Sequence, residues 1–248
     1  MTVMRFTSAI EMASAAAREV CAHACDAVTA RGVFTLALAG GSSPVGTYER
    51  LAAPPSVSSI PWDRTHVFWG DDRCVPHDHP DSNVRRARDA FLSAVPLPGH
   101  ACHPIPAGDL TPDERADAYE DTLREFFASH GLLSPDDMPV FDVIILGIGP
   151  DGHTASLFPD NPHASRVSGR LAVATPPAPT PPHVPRVTLT LPVLNAARHV
   201  LFLVTHADEK ECVREIVTDR AAAGKKYPAG RVRAADTALF ITPPVPER

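Results

Sequence analysis

Three buried-looking runs in this chain each end on glycine. Residues 33–39 lead into Gly40-Gly41, residues 65–69 into Gly70, and residues 140–146 into Gly147-Ile148-Gly149. Short apolar runs without polar alternation suit strands covered on both faces, as in a parallel sheet. A glycine at the end of such a strand lets backbone pass close to a neighbour or a ligand. Helical patterns lie between the runs. Residues 8–31 begin with the capping-box pattern Ser8-x-x-Glu11 and stop at Gly32. Pro44 suits the first position of a helix, residues 82–92 read as another, and Thr111-Pro112-Asp113-Glu114 caps one that ends near Gly131. Further strands are expected at residues 171–175, 187–191, 199–204 and 237–242, with a helix from about Asp208. This alternation predicts an α/β fold: a mostly parallel, twisted, Rossmann-type sheet with helices on both faces, in a single domain over residues 1–248.

Four loops follow the C-terminal ends of predicted strands: residues 40–43, 71–73, 147–153 and 206–210. Open α/β sheets bind ligands at that edge. The third loop carries Asp151 and His153, a carboxylate and an imidazole two residues apart. A carboxylate can fix the tautomer of a neighbouring histidine and make it a general base near neutral pH. Gly147, Gly149 and Gly152 also spell G-x-G-x-x-G. The dinucleotide reading needs a helix at once and an acidic residue about 20 positions on. Pro159 and Pro162 interrupt instead, and residues 161–207 contain no Asp or Glu.

That acid-free stretch carries Arg166, Arg170, Arg186 and Arg198 with His163, His183, His199 and His206, in a chain of net charge −6. It suits an anionic ligand, although most surface arginines are only solvated. Arg186 stands out at the entry from a proline-rich loop to a strand, where a guanidinium can grip phosphate in a fork. Gly41, Ser42 and Ser43 precede a helix, an arrangement that serves either an anion or a simple cap. It is neither a P-loop nor a nucleophile elbow. In residues 71–73, strand alternation points Asp71 and Arg73 to one side. Standing alone they would be a surface ion pair.

Cys74, His77, His79 and Asp81 match no standard zinc spacing, and Cys21 and Cys25, four apart on a helix, read as paired core residues. Five cysteines at irregular spacing argue for a reducing compartment rather than a disulfide framework. Twenty-seven prolines gather in loops and imply stiff connections. The negative charge offers nothing to nucleic acid, and no run approaches the roughly 20 apolar residues of a membrane span. Glu11 interrupts the first apolar stretch, so no leader layout is seen. The expectation is a cytoplasmic protein, as a monomer or a small homo-oligomer.

The assembled motifs resemble the 6-phosphogluconolactonase family. The matching stretches are Leu38-Ala39-Gly40-Gly41-Ser42-Ser43-Pro44, Trp69-Gly70-Asp71-Asp72-Arg73-Cys74-Val75-Pro76, Asp78-His79-Pro80-Asp81-Ser82-Asn83, Gly147 through Pro159, and Pro185-Arg186-Val187-Thr188-Leu189-Thr190. The resemblance implies a glucosamine-6-phosphate deaminase-like fold and hydrolysis of the sugar-phosphate lactone 6-phospho-D-glucono-1,5-lactone, with no metal or organic cofactor. Asp72 stands where that family usually has Glu. After Thr205 the family usually has Thr-Gly-x-x-Lys. A gap-free reading puts Glu209 at the lysine position, and a one-residue insertion restores Lys210.

For such a substrate, His153 is expected to deprotonate water and later to protonate the leaving ring oxygen. Asp151 or a backbone carbonyl orients the imidazole. Arg73 stabilises developing charge or holds the substrate, and Asp71 positions Arg73 or a sugar hydroxyl. Gly41, Ser42, Ser43, Arg186 and Lys210 are expected to grip the phosphate. Two alternatives remain. Glucosamine-6-phosphate deaminases resemble the chain at Asp71 and Asp151-Gly152-His153, but continue with Ile-Ala-Phe-Asn and carry Tyr in place of Arg73. A non-catalytic sugar-phosphate sensor of this fold usually has a DNA-binding segment in front. Here one helix and one strand precede Gly40, and His153 is retained.

Overall fold

In the computed structural model, which describes residues 1–161, 169–206 and 208–242, seven strands form one parallel sheet in the order β1-β10-β9-β6-β2-β3-β5. They are β1 (Thr2–Arg5), β2 (Phe34–Leu38), β3 (Thr65–Trp69), β5 (Cys102–His103), β6 (Val143–Leu146), β9 (His199–Val204) and β10 (Asp236–Ile241). All of β2 and β6 is buried, as strands covered on both faces must be. The principal helices are α1 (Ala9–Arg31), α2 (Val45–Leu51), α3 (Ser56–Ser59), α4 (Asn83–Ala90), α5 (Pro112–Ser129), α6 (Leu191–Ala196), α7 (Lys210–Thr218) and α8 (Arg220–Lys226). Among the described residues, no helix is long and apolar enough to cross a membrane.

Local sequence explains the helix ends. Ser8 caps α1, and Gly32 closes it at φ 76°. Glu11 returns its carboxylate to Thr7 N–H and Oγ1 rather than to Ser8 N–H, so the expected box is shifted by one residue. Thr111 and Glu114 form the full reciprocal box at α5, with Pro112 in the first turn. Pro44 lies one residue before α2 instead of at its first position.

A second sheet, antiparallel in the order β4-β8-β7, was not expected. It joins β4 (Asp71–Arg73), β8 (Arg186–Leu189) and β7 (Ala172–Thr175). Gly70 connects the two sheets: its N–H donates to Leu38 O, and its carbonyl accepts from Leu189 N–H. Residues 71–73, read above as a strand-end loop, are therefore a strand of their own.

From β2 the chain runs outward through β3 to β5, then returns to place β6 on the other side of β2. The loops after β2 and β6 therefore diverge, and a crevice opens between them. Two buried tyrosines fix the strand ends beside it. The Tyr48 hydroxyl accepts from Ala39 N–H at 2.9 Å and donates to Ala39 O at 2.8 Å. Tyr119 does the same for Trp69, at 3.0 and 2.8 Å. At the opposite edge Asp142, 1% exposed, accepts from Thr35 N–H and Oγ1 and pairs with Arg31, tying the starts of β2 and β6 together.

Candidate active site

Beyond β6 the chain makes a tight turn: Gly152 N–H donates to Gly149 O and Gly149 N–H to His153 O, at 2.8 and 2.9 Å. The glycines are required by contact. A Cβ at Gly149 would lie 2.1 Å from the His153 ring, and one at Gly152, where φ is +77°, would lie 2.3 Å from the Tyr227 ring. The imidazole thus lies directly on Gly149 and tilts against Phe158, with centroids 4.6 Å apart. Its Nδ1 is 2.5 Å from Asp151 Oδ1, which also accepts His153 N–H at 3.1 Å. Burial alone would raise the Asp151 carboxyl, but the hydrogen bond and charge of His153 hold it below its ordinary range. With Nδ1 engaged, Nε2 is the nitrogen left for chemistry.

On β4, Asp71 and Arg73 share a face and both line the cavity, as alternation requires. They do not form an ion pair. Asp71, 5% exposed, accepts the Ser156 hydroxyl at 2.6 Å and lies 3.5 Å from Asn83 Nδ2. Arg73 donates Nη1–H to Asp81 O at 2.7 Å and to Asn83 Oδ1 at 3.0 Å. Asp72 points the other way and accepts Asn83 N–H and the Ser82 hydroxyl at the start of α4. Burial holds its carboxyl above the ordinary range despite these bonds.

Arg73 stands directly opposite Arg186 in the β4–β8 register. Like charges in that position repel unless an anion joins them. Arg186 is 4% exposed, sits 5.5 Å over the Phe158 ring, and leaves its buried Nε–H without a partner. Burial, with the charge of Arg73, lowers its pKa. Such a guanidinium is satisfied by an anionic ligand.

The third wall is the loop after β2. A Cβ at Gly40 would lie 2.1 Å from Asn83 Oδ1, and Gly41 takes φ +80°. Ser42 Oγ is 2.8 Å from His206 Nε2, and Ser43 Oγ is 2.8 Å from Thr205 Oγ1, so the serines bind this loop to the one after β9. Together these segments enclose about 190 Å³, lined among others by Gly41, Ser42, Ser43, Asp71, Arg73, Asn83, His153, Arg186, His206 and Glu209.

Lys210 does not line this cavity. It lines a separate hollow with Arg5 and Arg214, whereas Glu209 faces the site. The reason is local: α7 begins at Lys210, and successive residues of a helix start point about 100° apart. Glu209, the residue of the gap-free reading, thus lines this cavity, and Lys210, expected among the phosphate ligands, does not. Of the acid-free stretch, Arg186 and His206 reach the cavity. Arg170 pairs with Glu120 and Asp117, Arg198 pairs with Asp142, and His183 bonds Ala178 O. Arg166 and His163 lie outside the described residues. Asn83 and Ser156 were not singled out as site residues in the sequence, whereas His206 was named only among the histidines of the acid-free stretch and Glu209 only as the gap-free alternative to Lys210. Asn83 and Ser156 do fall inside the motif stretches quoted above, which was the available signal.

His77 Nε2 bonds Ile105 O, and His79 Nδ1 accepts from Asp81 N–H. Among the described residues, no three His, Cys, Asp or Glu side chains gather where they could hold a metal. Cys25 is exposed and Cys21 half-buried, so the pair is not a core pair.

A family profile described as glucosamine-6-phosphate isomerases/6-phosphogluconolactonase matches residues 7–241. A 6-phosphogluconolactonase of Synechocystis sp. is 42% identical over 203 residues, covering 82% of this chain and 79% of the relative. The crystal structure of 6-phosphogluconolactonase from Thermotoga maritima superposes with a TM-score of 0.81 at 28% identity, covering 98% of this chain and 99% of the other. A monomeric glucosamine-6-phosphate deaminase superposes at 0.75 with 18% identity over 97% of each chain, a likeness of fold alone.

Proposed function

This chain belongs to the glucosamine-6-phosphate isomerase/6-phosphogluconolactonase family, and from that premise we propose that its cavity hydrolyses 6-phospho-D-glucono-1,5-lactone to 6-phospho-D-gluconate, a step of the oxidative pentose phosphate pathway. The observation that carries the reading is His153, held at Nδ1 by Asp151 in a cavity whose other walls carry Arg73, Arg186 and the 41–43 loop.

His153 Nε2 accepts a proton from water as the oxygen attacks the lactone carbonyl carbon. Negative charge moves to the carbonyl oxygen, and Arg73, whose Nε–H is also buried without a partner, stabilises it. When the tetrahedral intermediate collapses, the bond to the ring oxygen breaks and the imidazolium returns its proton to that oxygen. Asp151 keeps the tautomer and stabilises the imidazolium. Asp71, oriented by Ser156 and Asn83, accepts a substrate hydroxyl. Arg186 and the backbone N–H groups of the 41–43 loop hold the phosphate, and binding energy there places the carbonyl carbon near His153.

The reading is tested by supplying purified protein with the phosphorylated lactone and, in parallel, with glucosamine 6-phosphate. Acid release from the first without ammonia from the second is expected. Ammonia release without lactone hydrolysis would assign the cavity to deamination.

A further inference from the structure

Resting on that reading, we propose that Glu209 meets the substrate's phosphate as a neutral acid, so that binding of the phosphorylated ligand takes up one proton. Glu209 is an anomaly in an anion site. The residue is 6% exposed and lines the same cavity as Arg186 and the 41–43 loop. Its carboxylate accepts backbone N–H groups of its own segment, His206 N–H at 3.1 Å on Oε2, and among the described residues no cation pairs with it. An ionised carboxylate so placed would face a phosphate dianion at close range, in surroundings that screen poorly.

The position is set by the loops. Ser42 bonds His206 and Ser43 bonds Thr205, so an anion held on the 41–43 loop shares its wall with the segment that carries Glu209. A protonated carboxyl supplies one O–H donor, which a phosphate oxygen accepts. Burial, helped by the neighbouring Asp208 charge, already raises this carboxyl to about 7. The titratable and charged groups around it comprise His206, Asp208 and the Cys212 thiol from its own segment, Asp151 and His153 from the loop after β6, Asp71 and Arg73 from β4, and Arg186 from β8. Two cations there draw the phosphate in, and the phosphate in turn pushes the Glu209 pKa higher. The proton comes from buffer and rests on the carboxyl.

The sign of the effect follows. Below about pH 7 the carboxyl is already protonated, and binding takes up little. Above it, each ligand bound must carry a proton in, so apparent affinity falls by up to about tenfold per pH unit. Well above its own second pKa of about 6, the sugar phosphate is already a dianion and takes no part in the change.

The experiment is titration calorimetry of the whole protein with 6-phosphogluconate at pH 8, in two buffers of different ionisation enthalpy. Uptake approaching one proton per ligand is expected, and none would overturn the proposal. Glu209→Gln keeps the shape and a donor, and should bind without uptake and with a Kd flat between pH 7.5 and 9. Glu209→Met serves the same purpose should the amide fail to fold. Full uptake in either folded variant would move the proton to His206 and overturn the assignment. A protein that hydrolyses the lactone but takes up no proton refutes this inference alone. One that binds 6-phosphogluconate with uptake but does not hydrolyse the lactone refutes the functional reading instead.

Discussion

The His153 ring rests on a glycine that has no room for a methyl group, so its position is sensitive to a change that leaves its own chemistry intact. Gly149→Ala would put a Cβ 2.1 Å from the imidazole. The ring must swing away from Asp151, and a displacement of about 1 Å in a catalytic group can cost on the order of a hundredfold. Lactone turnover in G149A should fall by about that factor while the far-ultraviolet dichroism is unchanged; wild-type turnover would mean that the ring position does not matter. Arg186→Ala should weaken binding of phosphorylated ligand by roughly ten- to hundredfold and spare an unphosphorylated gluconolactone. Equal losses on both would remove the phosphate role. Lys210→Ala, outside the cavity, should be nearly silent on both. The sequence left Glu209 and Lys210 as alternatives because a single-residue shift in a loop changes no pattern. Only the start of α7 decides which side chain faces the site. Asn83 was legible as part of a motif but not as a site residue, because its task is to lie against Gly40 and bond Arg73, contacts that no spacing encodes.

At the scale of elements, hydroxyls at strand ends hold the loops of the candidate site in place. Tyr48→Phe removes two hydrogen bonds and strands the N–H and C=O of Ala39 at the mouth of the 40–43 loop. Each group left unsatisfied costs about 1–3 kcal/mol. Y48F should therefore lower the urea midpoint and raise KM for the phosphorylated lactone more than it lowers kcat. An unchanged midpoint would show that water replaces the hydroxyl. The long elements were legible: β3 and β9 fall where their apolar runs lie, and α1 and α5 where their caps lie. The antiparallel sheet was not. Two of its strands, β7 and β8, fall at the runs expected at residues 171–175 and 187–191, but no pattern marks their pairing, and the third, β4, is too short to show: the polar triplet Asp-Asp-Arg carries no hydrophobic period. The edge strands β1 and β5 escaped for the same reason, having four and two residues.

The whole molecule combines a neutral-pH site with an acid-sensitive edge. His66 on β3 and His103 on β5 stack 5.3 Å apart beside Phe126, with their ring nitrogens 3.0 Å apart. Burial, together with the neighbouring histidines, pushes both down to about 4. The unfolded chain takes up these protons from about pH 6.5 downward, whereas the folded chain resists until about 4. Their contribution to stability is therefore present above 6.5 and lost as pH falls toward 4. The Tm should drop across that window, and less so in a His66→Phe/His103→Phe double variant; identical slopes would place the acid sensitivity elsewhere. The parallel architecture was legible as a whole because it follows from strand–helix alternation, and the place of the candidate site was legible because its loops share one edge. The central claim is that His153, presented by this edge, is the general base of lactone hydrolysis. It is tested most directly by the initial rate of 6-phosphogluconolactone hydrolysis at neutral pH, corrected for the spontaneous reaction, in wild-type protein and in His153→Gln with matched thermal unfolding. A loss of at least about a hundredfold in kcat is predicted, and a folded variant that hydrolyses the lactone at near the wild-type rate would contradict the account.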